Sequence, residues 1–399
     1  MRLLTAPDTE PTDSAEPETS GAAPMDAADL AGTPARAGVQ IAGWGTAVPG
    51  RRVTNHDLAR YLDTSDEWIV ERSGIRERRW AGPGETTGSL GLAAARDALA
   101  DAEVAAADVD VVVVATSTPD NPMPSTGSQI AHALGITAGA FDVNAACAGF
   151  VYALTTASGL VSSGVARTAL VVGSDTMSTI VDPQDRATAV LFGDGAGALV
   201  LTSGRTPGAA GLAPAVPAAP STPASASPAA GPAGLAGLVA SDLVGDPAGV
   251  DLLVVPAGGS ARPASAESVA ARDHFLRMDG REVFRRAVRA VTASIGRTLD
   301  RAGCTPDDVA LFVPHQANAR IVDAVLSRTG LAPERTSSTI DRYGNTSAGS
   351  IPIALAEAAD AGTVAPGDLV LMCGFGAGLS VGTALWRWGT PTRLSRGDT

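Results

Sequence analysis

Apolar positions along this chain fall into short runs with two different periods. The run VDVVVVA (109–115) is apolar almost without a break, the pattern of a strand buried on both faces. Val39–Gly43, Phe141–Asn144, Ala169–Gly173 and Ala198–Leu201 read as further strands. Leu90–Ala100 reads as a helix. Cys147–Ser163 reads as a helix apolar nearly all round, through Phe150, Val151, Leu154, Ala157, Leu160 and Val161, which predicts burial, and Gly164 stops it. The same themes then return in the same order. DVALFV (308–313) parallels 108–114, Ser347–Ala361 is a helix that opens from a polar loop, and LVLMCGFGAGLSVGTAL from Leu369 parallels LVVGSD and FGDGAGALVL. Two copies of one strand-helix unit predict an α/β fold of two similar halves packed in alternating helix and sheet layers, with active groups meeting at the seam.

Two stretches break this pattern. Residues 1–37 carry Ala, Pro, Asp, Glu and Thr with almost no large apolar side chains and read as a disordered acidic tail. Residues 203–237, through APAVPAAPSTPASASPAAGPAG, are rich in helix-breaking proline and read as a flexible surface insertion. These stretches divide the chain into an N-terminal half (38–202) and a C-terminal half (238–390), with a short tail at 391–399.

Composition narrows the possible partners. Hydrophobic residues make up 45% of the chain, enough for a large core, and the formal net charge is −13. That charge argues against general affinity for nucleic acid or an anionic membrane, so an acidic partner would need a local basic patch. All 29 basic residues are Arg. The three cysteines, Cys147, Cys304 and Cys373, are too few and too scattered for a disulfide framework, and the expectation is a reducing cytoplasm. No Cys/His spacing suggests a metal, no apolar run approaches the roughly 20 residues of a membrane helix, and the start of the chain lacks the apolar core of a signal peptide.

Candidate chemistry gathers at three places where a strand should hand over to a helix. A lone cysteine is usually a small buried hydrophobe. Cys147 differs because Ala145, Ala146, Ala148 and Gly149 surround it at a helix start. The positive helix end should favour its thiolate, and small neighbours leave room for a thioester. His315 follows the strand ALFV and Pro314, at the carboxyl end of a strand where α/β sheets bind ligands. Asn345 stands in a Gly-Asn turn that opens a helix. Alone it would be turn chemistry, but some 30 residues after His315 the pair could donate hydrogen bonds to one oxygen. The glycine loop 374–378 (GFGAG) can bring backbone N–H groups close to a ligand and does not match a dinucleotide fingerprint.

The strings TSDEWIVERSGIRERR (64–79), FDVNAACAGF (141–150), DRATAVLFGDGAGA (185–198), MDGREVF (278–284), VPHQANARI (313–321), DRYGNTSAGS (341–350) and GFGAG (374–378) together resemble β-ketoacyl-acyl-carrier-protein synthase III, a family of the thiolase-like superfamily, from about Gly38 to Trp388 apart from the Pro/Ala insertion. The resemblance implies a thiolase-like fold and a decarboxylative Claisen condensation of a starter acyl-CoA with malonyl-acyl carrier protein, initiating fatty acid or polyketide chains through an acyl-cysteine. It implies no cofactor and no metal, and it implies a homodimer. Carried over by motif, Cys147 holds the acyl group, His315 and Asn345 hold the enolate oxygen, and the backbone N–H groups of Cys147 and Ala377 form the oxyanion hole. Trp68, Arg72 and Arg186 would hold CoA, and Phe192, Leu276 and Phe284 would line the acyl pocket. Met123 stands where the family often has an aromatic residue reaching into the partner subunit's pocket. Carrier protein is strongly acidic in this family; Arg285 and Arg320 would meet it, with Arg281 and Arg289 on the same helix face as Arg285. The alternative is a synthase-III-like acyltransferase of secondary metabolism that moves an acyl group to a hydroxyl or an amine.

Overall fold

Two sheets of matching strand order frame the protein. The computed structural model describes residues 38–203 and 236–389, so the expectations for 1–37, for 204–235 and for 390–399 lie outside the described residues. In the first sheet, β1 (Val39–Ala47), β2 (Val111–Ala115), β3 (Gly139–Val143), β4 (Thr168–Thr176) and β5 (Asp194–Ser203) lie in the order β1-β5-β4-β2-β3. In the second, β6 (Gly237–Gly245), β7 (Val309–Pro314), β8 (Leu369–Gly376) and β9 (Ser380–Arg387) lie in the order β7-β8-β9-β6. Each sheet pairs its first and last two strands antiparallel and the next pair parallel. A parallel bridge from Phe312 to Thr336 stands where the second sheet would carry its counterpart of β3. Ser203 and Gly237, read from the sequence as insertion, close β5 and open β6.

The helices that matter for the site are α1 (Asp66–Ser73), α2 (Thr87–Asp101), α3 (Thr126–Leu134), α4 (Gly149–Ser162), α5 (Gly280–Ala302), α6 (Ala319–Thr329) and α7 (Ser350–Asp360). α2 and α3 cover the outer face of the first sheet, and α5, with α6 beside it, covers the outer face of the second. α4 and α7 lie between the sheets: α4 touches β4 and β2 on one side and β8 and β9 on the other. The outer helices are amphipathic and capped. Thr86 accepts from the Ser89 N–H while the Ser89 hydroxyl answers at the Thr86 N–H, and Asp279 caps α5 at the Glu282 N–H.

Burial explains why α4 and α7 are largely apolar. Phe150, Val151, Leu154, Ala157 and Val161 of α4 are fully buried, with Ile351, Ala354 and Leu355 of α7 beside them. They pack against Val113, Val171 and Leu199 of the first sheet and Met372 and Trp386 of the second. Truncating Phe150 here would cost roughly 3–5 kcal/mol.

The seam demands small residues. A Cβ on Gly374 of β8 would lie 3.0 Å from the Ala148 Cα, and one on Gly173 of β4 would meet the Ala348 carbonyl oxygen. Each half thus sets the turn before its own central helix against a glycine in the other half's sheet.

Candidate active site

Both central helices are entered through the same turn. After β3, the Asn144 side-chain oxygen accepts from the Ala146 N–H at 3.2 Å, and Ala146 takes a left-handed φ of 48°. In the other half the Asn345 oxygen accepts from the Ser347 N–H at 2.9 Å, and Ser347 has φ 50°. NAACAG (144–149) and NTSAGS (345–350) are the two copies. This turn corrects the expected helix starts. Cys147 lies in the tight turn Ala146–Ala148 before α4 begins at Gly149, and α7 begins at Ser350 rather than Ser347. A three-residue turn takes the chain sharply off the strand and leaves the Cys147 side chain at the seam.

The structure brings Cys147, His315 and Asn345 together on the wall of one cavity of about 230 Å³. All three are buried. The Ser347 hydroxyl donates to Cys147 Sγ at 3.3 Å. His315 leaves β7, its backbone N–H bonded to the Cys373 carbonyl at 2.7 Å, and the Phe375 ring meets the imidazole edge-on at 5.5 Å. Asn345 is clamped by the backbone: its N–H donates to the Leu191 carbonyl at 2.9 Å, and its own carbonyl accepts from the Gly193 N–H at 3.0 Å. With the Asn345 side-chain oxygen committed to Ser347, its Nδ2 is the group left to face the cavity.

Electrostatics reverse one expectation. Burial pushes the Cys147 thiol up to about 12, against the pull of the Ser347 hydroxyl, with the Asp175 carboxylate adding to the rise. Desolvation thus opposes the thiolate that the helix start was expected to favour. Burial also pushes His315 down to about 3, so the imidazole is neutral. Burial disfavours charge on both groups, and in such low-dielectric surroundings a developing charge feels its hydrogen-bond donors strongly.

The loop after β8 closes against Cys147. A Cβ on Gly376 would lie 2.5 Å from the Cys147 N–H nitrogen, so only glycine lets this backbone approach. Ala377 opens the following turn Ala377–Leu379, which sets its backbone one residue beyond that contact.

The remaining expected site residues divide. Phe192 and Phe284 line the cavity. Leu276 is not among its lining; it is buried in the neighbouring apolar cluster with Phe192 and Val190, beneath the wall. Met123 is 85% exposed and does not reach this cavity within its own chain. Trp68, Arg72 and Arg186 do come together: both guanidinium carbons lie 4.8 Å from the Trp68 ring centroid. They stand at the cavity rim, since Ala187 and Asn318 line the cavity and the Asn318 amide donates to the Arg72 carbonyl at 3.0 Å. Arg285, expected to meet carrier protein, is held in an ion pair within α5. Its Nε and Nη2 bind Glu282 at 2.9 and 2.6 Å, and the same carboxylate takes Arg286, so much of its charge is spent within α5. Arg281, Arg289 and Arg320 are exposed and form no ion pair among the described residues.

Sequence reasoning passed over Ser347, Ser350 and Phe375, all of which touch a member of the constellation. Setting NTSAGS against NAACAG would have flagged the two serines. Cys373 is buried against the Thr383 hydroxyl at 3.1 Å, and Cys304 lies half-buried after α5, so neither shares the cavity. Among the described residues no group of three His, Cys, Asp or Glu side chains could hold a metal ion, and no helix is long and apolar enough to cross a membrane.

Comparison with known proteins agrees with this geometry. Residues 141–216 match the family model for 3-oxoacyl-[acyl-carrier-protein] synthase III, and residues 299–388 match the model for its C-terminal part. The β-ketoacyl-[acyl-carrier-protein] synthase III of Symbiobacterium thermophilum is 46% identical over 88% of this chain and 98% of its own. The crystal structure of the synthase III from Pseudomonas aeruginosa superposes with a TM-score of 0.75 at 40% identity, over 89% of this chain and 100% of that one. The priming β-ketosynthase of the R1128 polyketide pathway gives 0.77 at 35% identity, over 90% and 98%. The thiolase-like architecture and the acyl-transferring class of enzyme follow from these likenesses. The chain belongs to the β-ketoacyl-acyl-carrier-protein synthase III family.

Proposed function

We propose that this protein joins a starter acyl group, delivered as a CoA thioester, to malonyl-acyl carrier protein with loss of carbon dioxide, opening a fatty acid or polyketide chain. The observation that carries this reading is the convergence of a buried thiol, a neutral imidazole and the Asn345 Nδ2 on one cavity. In the first half-reaction the Cys147 sulfur attacks the starter thioester. Its proton leaves with CoA as the thiol, while the N–H groups of Cys147 and Ala377 hold the oxyanion. In the second, His315 and Asn345 donate to the malonyl thioester oxygen. The pair of electrons from the broken C–C bond enters an enolate as CO2 departs. The enolate carbon then attacks the acyl-Cys147 carbonyl, and the sulfur leaves as a thiolate that takes up one proton from water to restore the thiol. The balance closes without a metal or redox cofactor.

Trp68 with Arg72 and Arg186 supplies an aromatic face and two guanidinium groups for the adenine and phosphates of CoA. Phe192 and Phe284 shape the starter pocket. Arg320, with Arg281 and Arg289, offers the cationic surface for acidic carrier protein, and Arg285 contributes only as part of its Glu282 pair. A homodimer accounts for two exposed features: among the described residues β3 ends its sheet with an unpaired edge, and Phe141 and Met123 lie exposed near it. Met123 would then enter the partner's pocket, as its position suggests. The free thiols suit a reducing cytoplasm.

The test is to incubate the protein with a panel of acyl-CoAs, weigh it intact, then add malonyl-carrier protein. We expect a mass gain at Cys147, release of CO2 and a β-ketoacyl-carrier product. An acyl ester or amide formed without CO2 would replace this reading with transfer to oxygen or nitrogen.

A further inference from the structure

A neutral imidazole can give one hydrogen bond and take one, so the condensation proposed above needs the His315 proton on the nitrogen that faces the substrate. His315 Nε2 has no partner among the described residues and belongs to the ring that lines the cavity. Nδ1 lies 2.6 Å from Ser350 Oγ, the first residue of α7. The Ser350 hydroxyl has a single proton and two candidate acceptors, His315 Nδ1 at 2.6 Å and the Ser347 carbonyl at 2.9 Å. Three features favour the imidazole. A separation of 2.6 Å belongs to the range of O–H donors and is short for an N–H donor. The Ser347 carbonyl already accepts the backbone N–H of Ser350, so it is not stranded when the hydroxyl turns away. The Gln316 N–H approaches Ser350 Oγ at 3.4 Å, so this oxygen has a donor of its own without the ring.

We propose that Ser350 is a positioning residue that donates to His315 Nδ1, fixes the ring proton on Nε2 and thereby makes a neutral imidazole a donor to the thioester oxygen. The proposal rests on the condensation reading for its consequence, though not for its geometry. Ser350 touches no substrate; it acts through the ring. Ser347 and Ser350 divide the work of one turn: the first donates to the Cys147 sulfur, the second to the His315 ring.

Two measurements test it. Nitrogen NMR of the natural protein labelled with ¹⁵N-histidine reads the tautomer of His315, identified by its loss in His315→Gln. We expect the Nε2–H form; an Nδ1–H form overturns the proposal. The second uses Ser350→Ala and Ser350→Thr. In Ser350→Ala we expect CO2 release from malonyl-carrier protein to fall about 10²-fold, the cost of removing one oxyanion donor, with acyl loading from CoA within twofold. Ser350→Thr keeps a hydroxyl and should recover most of the loss. Unchanged decarboxylation in Ser350→Ala, or an equal fall in loading, sinks the idea. Should Ser350→Ala not fold, the tautomer measurement on the natural protein still decides. A natural protein that released no CO2 would instead count against the condensation reading and leave the tautomer assignment standing.

Discussion

At Cys147 burial and hydrogen bonding pull in opposite directions, and burial wins. A thiol pushed up to about 12 should react with iodoacetamide at a rate that climbs about tenfold per pH unit between about pH 7 and 9, as the small thiolate fraction grows. A plateau below about pH 8 would show that the site lowers the thiol instead. Desolvation shifts His315 in the opposite direction with the same result, an uncharged group. Its folded value falls from 6.5 to about 3, so the unfolded chain takes up the proton first. The ring's contribution to stability is therefore complete above about pH 6.5 and is lost as pH falls toward 3. Melting temperatures measured between about pH 6.5 and 4 should fall less steeply for His315→Gln than for the natural protein. Equal slopes would mean that the ring is not buried in its neutral form. The residue types of the constellation were readable from the strings around them, but their charge states were not, because desolvation depends on walls contributed from far along the chain by Leu191 and Phe192, by Val283 and Phe284 of α5, by Ile321 of α6 and by Phe375 of β8.

At the scale of elements, the turn before each central helix is the working unit. The sequence repeat is visible in NAACAG and NTSAGS, yet the helices begin two or three residues later than their apolar pattern suggests. Left-handed Ala146 and Ser347 break the helix there, and neither is glycine, so nothing in composition announces the turn. The Asn144 and Asn345 side chains that bridge it are the physical cause. Gly376 gives a direct test. A methyl group 2.5 Å from the Cys147 nitrogen must displace the turn that carries the thiol. Gly376→Ala should slow acyl loading on the order of 10²-fold, since displacements near 1 Å cost that much, while CoA binding measured by fluorescence of Trp68 changes little. Loading at the natural rate would show that this backbone contact does not set the position of Cys147.

At the scale of the whole molecule, a net charge of −13 must coexist with binding of an acidic carrier. The surface solves this locally if Arg281 and Arg320, both exposed and outside any ion pair among the described residues, receive the carrier near the cavity that Gly280 and Ile321 line. Arg281→Glu and Arg320→Glu should each raise KM for malonyl-carrier protein about tenfold, more at low salt than at high salt, and leave loading from acyl-CoA within twofold. Equal effects on both substrates would place these arginines in the general electrostatics of the site rather than at a carrier surface. Arg285 should respond less than either, because Glu282 already holds its guanidinium.

By itself the sequence determined the layered α/β architecture, the two-fold repeat and the three residue types that do chemistry, because these are written in local period and in short strings such as AACAG, PHQAN and YGNTSAGS. Tertiary structure alone decided which residues meet across the fold. It set Leu276 beneath the pocket wall rather than on it, paired Arg285 with Glu282, and left Met123 outside its own chain's cavity. It also placed Ser350 under the His315 ring, though the two are 35 residues apart. Contacts across a seam join residues that have no periodic relation along the chain. Which of them touch depends on how closely two sheets and two buried helices approach, a distance fixed by the glycines and small side chains of the whole core.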